Sequence, residues 1–197
     1  NVAVGNYALD ALTSGDENVA IGYNALSANT SGNSNTAIGK GAMLANATGG
    51  ANVAVGVNAL NAINTGAGNV AVGNDALGAN TGGHSNQAMG RYALTANTTG
   101  NQNVAVGHET LATNTTGSLN IGIGSGALYA NTTGTRNIAI GTQAYDLSDT
   151  EDDNIAIGHN AMTTNTAGGT RNLALGNYSE DALTSGDKNI GVGYGSL

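Results

Sequence analysis

Residues 18–34 read N-V-A-I-G-Y-N-A-L-S-A-N-T-S-G-N-S, and at Asn35 the same pattern starts again. An asparagine opens each unit at Asn1, Asn18, Asn35, Asn52, Asn69, Asn86, Asn103, Asn120, Asn137, Asn154, Asn172 and Asn189. The spacing is 17 residues throughout, except for 18 between Asn154 and Asn172. Tandem periodicity of this length is the mark of a stacked repeat, in which each unit cannot bury its apolar face alone and neighbours complete the core.

Position 5 of the unit is Gly in every copy, from Gly5 to Gly193, which signals a positive φ or a neighbour too close for a Cβ. Position 4 is always apolar, and position 3 is Ala except at Gly122 and Gly191. Position 2 is mostly Val, Ile or Leu but admits Thr36 and Gln87. A β-branched run ending at Gly predicts a strand and a turn. Positions 2 and 4 then share one face and positions 1, 3 and 5 the other. The expectation is that positions 2 and 4 point inward with the Leu of position 9. The A-L-x-A that follows suits a second short strand or an irregular turn, and N-T-x-G closes the unit. Seventeen residues are too few for a strand plus a helix. The fold class expected is therefore all-β: a parallel β-solenoid of twelve coils over residues 1–197, the last stopped after nine residues. Stacking aligns the opening asparagines as an amide ladder.

Composition agrees with thin coils rather than a bulky core. Gly, Ala and Asn fill nearly half of the 197 positions, and Cys, Pro, Trp and Phe are absent. Without Cys there is neither a disulfide framework nor a thiolate metal site. A net charge of −8 and a pI near 4.4 exclude the basic footprint of a nucleic-acid binder. No apolar run is long enough for a membrane-spanning helix. Because the chain starts and stops inside the pattern, it reads as a segment of a longer protein.

The motifs N-V-A-V-G (1–5), N-V-A-I-G (18–22) and N-I-A-I-G (137–141 and 154–158) resemble the YadA-like head repeats of trimeric autotransporter adhesins. With their A-L and N-T-T-G segments the units are also similar to the repetitive shaft of bacteriophage tail-fibre proteins. The resemblance covers all twelve units and implies a left-handed β-roll whose three identical chains lie side by side. It further implies an extracellular place, on a bacterial surface or a virion, and a fibre module holding a binding tip away from its base. A host-surface glycan or protein receptor is the partner such fibres imply. The residues add one argument for self-association: a strand apolar on both faces should be covered on both. That places Ala3, Ala20, Ala54, Ala105 and Ala139 at the expected chain–chain contact.

Enzyme chemistry finds little material, and the reading is of no catalytic residues. His84, His108 and His159 do not cluster by spacing, and no nucleophile elbow joins an acid and a base. Two features break the monotony. Asp146, Asp149, Glu151, Asp152 and Asp153 could form an oxygen cage for Ca²⁺; a solvated loop where the repeat has diverged is the preferred reading. Tyr7, Tyr92 and Tyr178 at position 7, with Tyr23 and Tyr194 at position 6, can stack on sugar rings or anchor a partner. Equally, they can cover the coil corner. The alternatives for function are the receptor-binding head itself, and an ice- or mineral-binding solenoid using Thr98/Thr99, Thr115/Thr116 and Thr132/Thr133. Sequons such as those at Asn97 and Asn114 are read as by-products of the turn.

Overall fold

The computed structural model describes residues 1–147, 149–164 and 168–196. Among them are twelve three-residue strands and no helix, from β1 (Val2–Val4) to β12 (Ile190–Val192). The strands form one parallel sheet in strict sequence order, each coil climbing one strand spacing above the last. Register never slips: Ala3 pairs with Ala20, and Ala156 still pairs with Ala174 across the 18-residue unit.

The orientation of the strands corrects the sequence expectation. Ala20, Ala54, Ala105 and Ala139 have no exposed surface, so position 3 faces the interior, whereas positions 2 and 4 face outward. Ala3 is exposed only as part of the uncovered first coil. Ile140, expected inside, is 36% exposed, and Val4 56%. The interior is too narrow for two β-branched columns. It holds the alanines of positions 3 and 8, the Leu row of position 9 and the asparagine side chains.

The A-L-x-A segment is an irregular turn that still bonds coil to coil. Leu26 N donates to Ala42 O of the coil above at 3.0 Å, and Asn58 N to Lys40 O of the coil below at 2.9 Å. Serving both neighbours requires the left-handed backbone at positions 7 and 9, which even Leu26 (φ 51°) and Leu60 (φ 50°) adopt. Each such residue costs about 1–2 kcal/mol, and the inter-coil bonds and the burial of Leu offset it. At position 5 both reasons for glycine hold. Gly22 has φ 137°, and a Cβ there would stand 2.5 Å from Gly39 O.

Two asparagine ladders line the interior. The expected one runs through position 1: Asn18 Nδ2 donates to Gly32 O of its own coil, and Asn18 Oδ1 accepts from Asn35 N of the next. The second runs through position 12, where the sequence alone points only to turn chemistry. There Asn114 Nδ2 donates to Asn97 Oδ1 and Asn131 Nδ2 to Asn114 Oδ1, both at 2.8 Å. Where Ile63 interrupts this row, Asn46 Oδ1 below it has no hydrogen-bond partner.

The irregular coils follow the same packing logic. Position 15 is a second close approach, where a Cβ on Gly66 would stand 2.5 Å from Gly83 O. Glu151 occupies this row, and the coil above it is the one with the extra residue. Gly168 N, in that enlarged coil, donates to Glu151 Oε1 at 3.1 Å. The inserted residue makes room for a side chain that a 17-residue coil would exclude.

Candidate functional site

Inward-pointing positions 8 and 9 leave positions 6, 7 and 10 to form the solvent edge opposite the sheet's end. All five expected tyrosines lie on this edge. The left-handed turn sets position 7 of one coil diagonally against position 6 of the next, which linear spacing did not reveal. Tyr7 and Tyr23 therefore meet edge to face, centroids 6.0 Å apart. His159, Tyr178 and Tyr194 form a file with steps of 5.2 and 5.6 Å. Tyr92 stands 6.4 Å from His108, with the Arg91 guanidinium 4.6 Å over its ring. The five make three separate clusters rather than one surface.

The other two tyrosines divide. Tyr145 takes the Leu row, fully buried, and its Oη accepts from Asn154 Nδ2 at 2.5 Å. Tyr129, at position 10, is exposed and lines a cleft with Glu109, Thr142, Gln143 and Asp146.

The structure does not bring the five acids of 146–153 together. Glu151 turns its carboxylate on backbone N–H groups, Oε2 accepting from Asp149 N at 3.0 Å and Thr150 N at 3.1 Å. Asp152 Oδ1 accepts from Thr135 N and Thr135 Oγ1. Asp153 takes a two-pronged bond from Arg136, which holds its carboxyl below the usual range. Asp149 offers its carbonyl to Thr132 N. Asp146 stands apart: its Oδ1 is buried without a partner, and burial pushes its carboxyl up. Among the described residues no three His, Cys, Asp or Glu side chains are placed to hold a metal ion. The carboxylates of Glu151, Asp152 and Asp153 are spent on this coil's own turn and on the coils directly above and below.

Glu180, which the sequence flags only as a departure from the Leu row, is fully buried, and neither carboxylate oxygen has a partner. Burial pushes its carboxyl up, the Gly191 backbone offsetting this in part. The threonine ranks are half consumed. Thr98 and Thr115 donate their hydroxyls to Thr115 O and Thr132 O, leaving Thr99, Thr116 and Thr133 outermost. Asn97 and Asn114 are fully buried ladder members.

No family model, curated protein or solved structure matches the chain.

Proposed function

We propose that this solenoid is a structural and adhesive module of an extracellular trimeric fibre, a stiff rod that carries a binding tip away from its base. The observation that carries this reading is the outward face of the sheet. From Val2 and Val4 through Ile38, Met89 and Ile140 to Ile190 and Val192, two side chains per strand, mostly apolar, point outward along the rod and are half-buried or exposed. Eleven strand steps give that stripe a length of about 50 Å. Contiguous apolar surface of a few hundred Å² or more marks an association face. Its occupant is a second and third copy of this chain, because only another coil stack repeats at the strand spacing along the whole stripe. The alanines assigned to the contact from the sequence are inside, so positions 2 and 4 replace them as the contact.

Sedimentation of the 197-residue chain tests this, with a trimer expected. Replacing Ile38, Met89 and Ile140 by Asp should give a monomer that keeps its β circular dichroism, since these side chains are not core. A monodisperse monomer of the unmodified chain at high concentration would overturn the trimer. The receptor-binding head is the second reading, favoured by the aromatic clusters of the free edge. An ice- or mineral-binding role fits less well, because half of the paired threonine hydroxyls already bond the backbone.

A further inference from the structure

Two clefts open beside the position 6–7 corner, on the edge of the coil, and the same chemistry is assembled at both. In the first two coils Tyr7, Asp10, Tyr23, Asn24 and Ser27 line a cleft of about 430 Å³. In the seventh to ninth coils Glu109, Tyr129, Thr142, Gln143 and Asp146 line one of about 380 Å³. Each offers a phenol ring, a carboxylate at position 10, a primary amide at position 7 and a hydroxyl. Both volumes lie in the lower part of the roughly 300–1,000 Å³ range of small-molecule sites.

We infer that these two clefts are carbohydrate subsites, each taking a ring of a neutral or N-acetylated oligosaccharide. A sugar ring has an apolar C–H face for an aromatic plane and a rim of hydroxyls for carboxylate and amide oxygens. Hydrogen bonds to a carboxylate are about twice as strong as neutral ones. Gly126 deepens the second cleft by leaving a notch between Glu109 and Gln143 in the position-7 row. The clefts are shallow and polar, which disfavours an apolar ligand. Their carboxylates and the chain's net charge of −8 select against sialylated or sulfated glycans. Six coils separate the two subsites, about 30 Å along the rod, so one branched or surface-displayed glycan array could engage both with avidity. This goes beyond the rod reading and holds whether or not copies associate.

Residues borrowed from other coils make variants that suit the backbone. Position 7 carries Asn at Asn24, Asn58 and Asn160 with positive φ, so Gly126→Asn fills the notch in a backbone conformation that Asn already adopts in three other coils. A Cβ at Gly126 meets Gln143 Cγ at 3.5 Å, an ordinary contact. Tyr7→Asn and Tyr129→Thr copy Asn24 and Thr95 in the same way. The test is retention of the 197-residue chain on immobilised neutral, N-acetylated, sialylated and sulfated oligosaccharides. Calorimetric titration with the best-retained neutral one follows. The expected result is retention on a neutral or N-acetylated glycan. Gly126→Asn and Tyr129→Thr should each weaken the second subsite by about tenfold or more. The double variant Tyr7→Asn/Tyr129→Thr should lose binding with unchanged circular dichroism. No retention on neutral or N-acetylated glycans, retention on acidic glycans alone, or undiminished binding by the folded double variant would each overturn the proposal. Sedimentation of the same samples reads the trimer separately.

Discussion

Gly122 and Gly191 interrupt the inward alanine row, and each follows a coil whose position 8 is larger than Ala. Thr110 precedes Gly122 and Ser179 precedes Gly191. A Cβ on Gly122 would stand 2.6 Å from Thr110 Cγ2, and one on Gly191 2.8 Å from Ser179 Oγ. The interior thus conserves volume between one coil and the next. Gly122→Ala should destabilise the chain by about 1–3 kcal/mol through overpacking. Adding Thr110→Ala should recover most of that loss in a denaturation double-mutant cycle. At Glu180, restoring the row with Leu should stabilise the chain at neutral pH by about 1–3 kcal/mol, the cost of a buried unpaired group. Its folded carboxyl is raised, so the native chain is penalised as pH climbs from its ordinary value of 4.5 through the raised one. The melting-temperature gap between Glu180→Leu and the native chain should therefore be smallest below pH 4.5 and wider at neutrality.

At the scale of the element, three strand residues per coil are too few to hold a coil, and the asparagine ladders supply the rest. Asn114 donates to Asn97 Oδ1 and to Gly117 O and accepts from Asn131 Nδ2, all within the interior. Truncation to Ala strands partners in three coils at once and should cost about 2 kcal/mol or more, read by urea denaturation. The exposed Asn33, whose Oδ1 accepts only from Asp16 N at the surface, should show a much smaller loss in the same measurement. The ladders also explain the length of the period, since Nδ2 of position 1 must reach the carbonyl of position 15 to close the coil.

Across the whole molecule, each coil touches its sequence neighbours, so the rod is a sum of near-identical interfaces. Excision of residues 86–102, one complete unit, should leave a folded chain shorter by about 4.8 Å, read by small-angle scattering and circular dichroism. Excision of 86–101 leaves one surplus residue; it should destabilise the fold markedly, because a one-residue slip would turn alanine outward and valine inward. Two kinds of surface follow from the same regularity. The stripe of positions 2 and 4 recurs in every coil, whereas each of the two clefts brings a tyrosine together with a position-10 carboxylate.

The 17-residue period, the strand ending at glycine, the buried Leu row and the amide ladder of position 1 were all legible in the sequence, because each rests on one residue type recurring at one place. The reason for the position-5 glycine was legible too. Which strand face is inside was decided only by closure of the coil. Alternation separates two faces, but both are apolar here, and the choice depends on a volume that exists only once the Leu row and the asparagines fill the opposite wall. The tolerance of each position carried the signal in retrospect. Position 3 admits nothing larger than Ala, as a confined site must, while position 2 accepts Thr36 and Gln87 because it faces outward. The second ladder was hidden because Asn in an N-T-x-G run also reads as turn chemistry. The pairing of Tyr7 with Tyr23 came from left-handed residues that offset one coil's corner against the next, whereas Tyr129 and Asp146 share position 10 of consecutive coils and meet by the period alone. Sequence sets what recurs, and the packed coil sets which recurring side chain faces which neighbour.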